Sequence, residues 1–132
     1  MRYILDTHIL IWWSFDPSRL SRTHTAALAK AEQSGEHLAI SAITLREIAA
    51  VIARGRIEST VALDQLLSGI ESHPLLDVIP LTAQIAAESV RLGADAPRDP
   101  ADQIIMATAR CHGLTLITAD DAIRASAGIK LL

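Results

Sequence analysis

Short runs of aliphatic and β-branched residues alternate along this chain with longer stretches whose apolar positions recur at helical spacing. This alternation constrains the fold most. Arg2 to Asp6, Leu38 to Ser41, Asp77 to Leu81, Leu114 to Thr118 and Ile129 to Leu132 read as strands. Helices are expected between them. His8 to Ser14 is short and is broken by Asp16-Pro17-Ser18, and a Ser21-capped helix runs to about Gln33 and closes at Gly35. Thr44 caps a helix with Leu45, Ile48, Ala49 and Ile52 on one face, stopped near Gly55. Further helices are predicted over Ser59 to about Ser72, Thr82 to Gly93, Asp99-Pro100 to Gly113 and Asp120 to Ala125. In the helix that Asp99-Pro100 opens, Ile104, Ile105, Thr108 and Cys111 should face inward. Strands joined through helices run parallel, so the expected class is α/β with a mostly parallel sheet.

A chain of 132 residues suits one domain over 1–132, and no repeat or linker divides it. Tyr3, Trp12, Trp13 and Phe15 are the only aromatics, so the rest of the core must be Ala, Leu, Ile and Val. The single Cys111 cannot form an internal disulfide or build a thiolate metal site, and a small core residue is its expected role. The apolar start stops at Asp6, and Ile9 to Trp13 is too short to span a bilayer. A cytoplasmic, membrane-free protein is the expectation. The formal charge of -3 argues against binding nucleic acid through a generally basic surface. Any phosphate bound would need local neutralisation, which divalent metal could supply.

Acidic residues fall where a parallel sheet binds ligands, beyond the carboxyl ends of its strands. Asp6 ends the first strand, and Asp120 follows the strand Leu114 to Thr118. Asp102 falls in the first turn of the helix entering that strand, and Glu47 in the first turn of the helix after Leu38 to Ser41. Four acids would converge on one rim, with the hydroxyls of Thr7, Ser41 and Thr118 nearby. Carboxylates crowded together repel unless a cation compensates, and Mg²⁺ or Mn²⁺ prefers oxygen ligands while keeping several waters. Two such ions would balance four carboxylates, and a pair about 3.5–4 Å apart can activate water and stabilise the leaving oxygen of a phosphodiester.

Each acid also has a structural reading. Asp6 could cap the following helix, although an acid ending a buried strand is costly without a partner. Thr44-Leu45-Arg46-Glu47 has the form of a capping box, which would make Glu47 structural. Asp99 before Pro100 matches an N-cap, which frees Asp102 at the third helical position to face the rim. Either Asp120 or Asp121 could cap the short helix after them. His8, His24, His37, His73 and His112 show no ligand spacing. Trp12-Trp13 is more readily a core or dimer contact than a base-stacking platform. Arg19, Arg22, Arg46 and Arg98 could touch phosphate, with solvated charge as the default.

Together, Tyr3-Ile-Leu-Asp6-Thr7-His8, Ser41-Ala-Ile-Thr-Leu-Arg-Glu47-Ile, Arg98-Asp99-Pro100-Ala101-Asp102 and Leu116-Ile-Thr118-Ala-Asp120 resemble PIN domains. In particular they are similar to the toxin nuclease of VapBC-type toxin–antitoxin pairs. The resemblance implies a three-layer α/β/α sandwich and a Mg²⁺ or Mn²⁺ site. It also implies endonucleolytic cleavage of RNA, a cognate antitoxin partner and a homodimer. It maps the metal-binding, catalytic acids onto Asp6, Glu47, Asp102 and Asp120, with Thr118 supporting the site. Many relatives carry arginine where this chain has Gln103 and Ala119, so phosphate contacts are where it departs from the pattern.

Other readings fit less well. A receiver-type signalling domain needs a late lysine near its aspartate, and neither Lys30 nor Lys130 follows a strand at the right edge. A phosphatase with an aspartate nucleophile would want an acid where His8 stands. A PIN-like module that binds RNA or protein without catalysis is the more serious rival, and the retention of four acids speaks against it.

Overall fold

The computed structural model describes residues 1–126 and 128–132. Strand β1 (Tyr3–Leu5) leads into α1 (Thr7–Phe15), and Pro17–Arg19 forms a single 3₁₀ turn before α2 (Arg22–Ser34). Then come β2 (Leu38–Ser41), α3 (Ala42–Ala53), α4 (Leu63–Glu71) and β3 (Leu76–Ile79). The chain continues through α5 (Ala83–Ser89), α6 (Pro100–His112), β4 (Thr115–Ile117) and α7 (Asp121–Arg124). The strands form one sheet in the order β3-β2-β1-β4, every pair parallel. Helical crossovers impose that arrangement, because parallel neighbours cannot be joined by a tight turn.

Alternate strand residues feed two apolar layers. Ile4, Ala39 and Leu116 pack on one face with Ile85 of α5, Ile105 and Met106 of α6, and Ile123 of α7. Leu5, Ile40 and Ile117 pack on the other with Ile9 and Leu10 of α1, Leu28 of α2 and Ile48 of α3. The result is the expected three-layer α/β/α sandwich. Ile105, fully buried in α6, should cost about 2–5 kcal/mol if cut to alanine.

Local signals set most element ends. Ser21 accepts from the His24 N–H to start α2, and Gly35 closes it at φ 69°. Asp99 caps α6 from the first residue before Pro100, with Asp102 in the first turn, as predicted. Four details differ from expectation. Ser41, not Thr44, caps α3 by accepting from the Ile43 N–H, so Glu47 stands in the second turn and no capping box forms. The helix predicted from Ser59 begins only at Leu63, because the Ser59 hydroxyl turns the chain through bonds to the Val61 N–H and carbonyl. Helix α5 stops at Ser89 and does not reach Gly93. Ile129 to Leu132 forms only an isolated bridge, Leu131 beside Leu116, in place of a strand. Cys111 is half-buried and packs on the core's margin. No helix among the described residues is long and apolar enough to cross a membrane.

Candidate active site at the carboxyl edge of the sheet

The carboxyl ends of β1, β2 and β4 collect the polar residues that the core would otherwise exclude. Asp6, Thr7, Ser41, Thr44 and Thr118 are all buried here. Burial of polar groups is tolerated only where each finds a partner. Among the described residues no buried side-chain oxygen or nitrogen lacks one.

Two hydroxyl-centred arrangements supply those partners. On the β4 side, the Thr118 hydroxyl donates to Asp6 Oδ2 at 2.7 Å and accepts from the Asp120 N–H at 3.0 Å. Asp6 is also anchored through its backbone N–H, which donates to the Ile117 carbonyl at 3.0 Å. Asp120 caps α7, its Oδ1 accepting from the N–H groups of Ala122 and Ile123. This resolves the choice between Asp120 and Asp121 as cap. On the β2 side, the Thr7 hydroxyl donates to Glu47 Oε1. Thr7 and Thr44 hydroxyls lie 3.0 Å apart. With Thr7's single proton directed to an ionised Glu47, Thr44 must be the donor between the two. Thr44 is thus a positioning group that sequence reasoning assigned to a cap, and nothing local in the sequence distinguishes the roles.

The acids feel one another. Asp102, half-buried in the first turn of α6, has its carboxyl pushed up to about 7, first by burial and then by Asp6, Asp99, Asp120 and Glu47. Burial raises Asp6 above the ordinary range, against the lowering effects of the Thr118 hydroxyl, His8 and the Thr7 backbone. Burial also raises Glu47, tempered by the Thr7 hydroxyl, while Asp6 and Asp99 push it further up. All four sequence-predicted acids are therefore within electrostatic reach of one place, centred on Asp102. None of them takes part in an ion pair among the described residues. Nor do three acidic, histidine or cysteine side chains there stand close enough to enclose an ion unaided. Each of Asp6, Glu47 and Asp120 is turned to a hydroxyl or amide partner.

The remaining residues divide clearly. Asp99 is an exposed cap, its Oδ1 accepting from the Ala101 N–H at 2.8 Å. Gln103 donates from Nε2 to the Pro97 carbonyl at 2.8 Å, so it ties down the preceding loop. Ala119 is exposed. Ser41 is occupied as the α3 cap. His8 is exposed beside the rim, whereas His24 is buried and its pKa is lowered by burial and by Arg124. Trp12 and Trp13 are both half-buried but line different cavities.

Residues 3–129 match the family profile of the PIN domain. Over 121 residues the chain is 35% identical to "Ribonuclease VapC22" of Mycobacterium tuberculosis, covering 92% of this chain and 88% of that one. Among solved structures, it is similar to a toxin-antitoxin complex from Klebsiella pneumoniae, at 28% identity and a TM-score of 0.65, over 98% of this chain and 95% of that one. It is also similar to VapBC2 from Rickettsia felis, solved with a promoter DNA fragment, at a TM-score of 0.73 over 100% of this chain and 98% of that one. At 18% identity, this second likeness speaks to the fold alone.

Proposed function

The chain belongs to the PIN-domain family, and on that premise we propose that it is a divalent-metal-dependent endoribonuclease serving as the toxin of a toxin–antitoxin pair. One observation carries the reading: Asp6, Glu47, Asp102 and Asp120, from four different segments, crowd one edge of the sheet without a cationic partner among the described residues. The donor set is all oxygen, which fits Mg²⁺ or Mn²⁺ and excludes a soft-metal preference. A few carboxylates suffice, because such ions keep several waters, so side chains need not close a cage. When bound, the metal supplies a water activated for attack on phosphorus and positive charge for the leaving oxygen.

The chain's own residues prepare that chemistry. Asp6 and Glu47 are held in fixed orientations by Thr118 and Thr7, which limits the reorganisation needed on loading. Asp102 stands over the α6 N-terminus, where the helix dipole favours its ionised form against the neighbouring acids. Asp120 offers its second carboxylate oxygen while the first caps α7. The proposed partners are RNA as substrate, a cognate antitoxin protein and a second copy of the chain in a homodimer. The ribonuclease and antitoxin readings rest on the names of the M. tuberculosis and K. pneumoniae relatives. The homodimer rests on the family resemblance.

The test is cleavage of end-labelled RNA by purified protein with Mg²⁺ or Mn²⁺ and with EDTA. Internal cuts that appear with metal and vanish in EDTA are expected. Cleavage undiminished by EDTA, after contaminating nuclease is excluded, would refute the metal dependence. Binding without cleavage under any metal would favour the non-catalytic module. Expression without a partner should arrest growth; normal growth with an active purified nuclease would refute the toxin role.

A further inference from the structure

Beside the acids, α1 and α3 bound a groove that the metal chemistry does not use. Arg46, Ala50 and Arg54 follow one another at helical spacing along one face of α3. Together with Arg56 they line a cavity of about 470 Å³ that opens onto Thr7, Glu47 and Asp99. A second cavity, of about 430 Å³, is lined by Trp12 and Arg19. The two share His8, Ile11, Val51 and Arg56, so they form one groove leading away from the acidic rim. His8 and Trp12, one turn apart on α1, have ring centroids 6.0 Å apart, and the Arg19 guanidinium lies 4.7 Å over Trp12.

We propose that this groove is the path of a single RNA strand, with Arg46, Arg54 and Arg56 positioning its phosphates and Trp12 with His8 offering a face to one base. The proposal rests on the nuclease reading and extends it to the strand's path and to named contacts. All three arginines are exposed, and none forms an ion pair among the described residues. The bland alternatives are solvated charge and, for Arg54 at the α3 C-cap, compensation of the helix dipole. Neither explains why three arginines border one groove that reaches Glu47 in a chain of net charge -3. At the two positions where many relatives carry arginine, Gln103 is tied to Pro97 and position 119 is alanine, so neither supplies a phosphate contact. Arg46 and Arg54 are eight residues apart, about 12 Å along a helix, a span suited to more than one phosphate. Cations on one wall and aromatic rings on the other are the elements by which proteins hold unpaired strands. A duplex would keep its bases stacked and could not use the ring wall. Asp16 and Glu58 line the outer end, with Asp16 accepting from the Ser18 hydroxyl.

The experiment measures fluorescence anisotropy of a labelled 12-nucleotide single-stranded RNA in EDTA, then steady-state cleavage of the same RNA in Mn²⁺. The proteins are wild type, Arg54→Gln/Arg56→Gln, Trp12→Leu, Trp12→Phe and the control Arg91→Gln, which lies on no part of the groove. The double arginine variant should bind at least tenfold more weakly, with its log–log salt slope shallower by about 1.4 for two lost phosphate contacts. Its KM should rise with kcat within about twofold. Trp12→Leu should weaken binding at least fivefold and Trp12→Phe should largely restore it. The same RNA in duplex form should bind more weakly than the single strand and be indifferent to Trp12→Leu. Unchanged binding and KM in the arginine variant would overturn the proposal while leaving the nuclease reading intact. So would an equal loss in Arg91→Gln. Arginine- and Trp12-dependent binding by a protein that cuts nothing in Mn²⁺ would instead support the groove and sink the nuclease reading.

Discussion

The two ends of the same sheet treat acidic residues in opposite ways. At the amino edge, Glu36 meets Arg2 at 3.7 Å and Asp77 meets His37 at 3.0 Å, each half-buried acid paired with an exposed basic side chain. At the carboxyl edge, burial and neighbouring acids raise the affinity of Asp6, Glu47 and Asp102 for protons, and neither these three nor Asp120 forms an ion pair among the described residues. Acids that merely solubilise a surface resemble the first group. The second costs stability on its own, which is the expected signature of a site that works with an added cation.

Substitutions can break this contrast, beginning with the largest effect. Asp6→Ala, Asp102→Ala and Asp120→Ala should each abolish measurable RNA cleavage while circular dichroism stays native. An active Asp102→Ala variant would leave the crowding without a function. Thr118→Val removes the hydroxyl that joins Asp6 to the Asp120 backbone, at nearly constant shape. It should cost about 1–3 kcal/mol in chemical denaturation. Metal affinity should fall roughly 10–100-fold, as for other groups that orient ligands. Asp99→Ala, in contrast, should cost about 1 kcal/mol and leave Mn²⁺ affinity almost unchanged, because it removes a cap. Arg2→Gln at the amino edge should cost at most about 1 kcal/mol, with no effect on metal binding or cleavage.

Acidity sharpens the same contrast. Asp102 binds its proton more readily in the folded chain, with a value of about 7 against an ordinary 3.8. In EDTA its ionisation therefore removes stability as pH rises from about 4 to about 7, and lowering the pH across that window should raise the melting temperature. Asp6 and Glu47 act in the same direction, while buried His24, with its lowered pKa, acts oppositely below its ordinary 6.5. The Asp102 part is isolated as the difference between wild type and Asp102→Asn, which should shrink as pH falls. A difference that is flat with pH would mean that Asp102 carries no such burden.

What could be read from the sequence was what local chemistry encodes. Asp99-Pro100, Gly113, Ser21 and Gly35 specify helix ends through bonds within a few residues, and the structure has them there. The alternation of short strands with helices was enough to indicate the parallel sheet and the edge at which the acids sit. Thr44-Leu45-Arg46-Glu47 misled because its hydroxyl and carboxylate are both engaged by Thr7, about forty residues away, a contact no window contains. The tail at Ile129 to Leu132 was read too far because alternation cannot report that its one bridge lies at the sheet's margin. The arginine groove depends on how α1 and α3 come together, so Arg54 and Arg56 gave no signal before the fold was known.

The most direct measurement is calorimetric titration of Mn²⁺ into the wild-type protein at pH 7, repeated in buffers of different ionisation enthalpy to count protons. Asp102, half-protonated near that pH, should release part of a proton as the ion binds, and Asp102→Asn should bind more weakly with most of that release gone. Absence of saturable Mn²⁺ binding, or binding with affinity and proton release unchanged in Asp102→Asn, would contradict a cation held at the carboxyl edge.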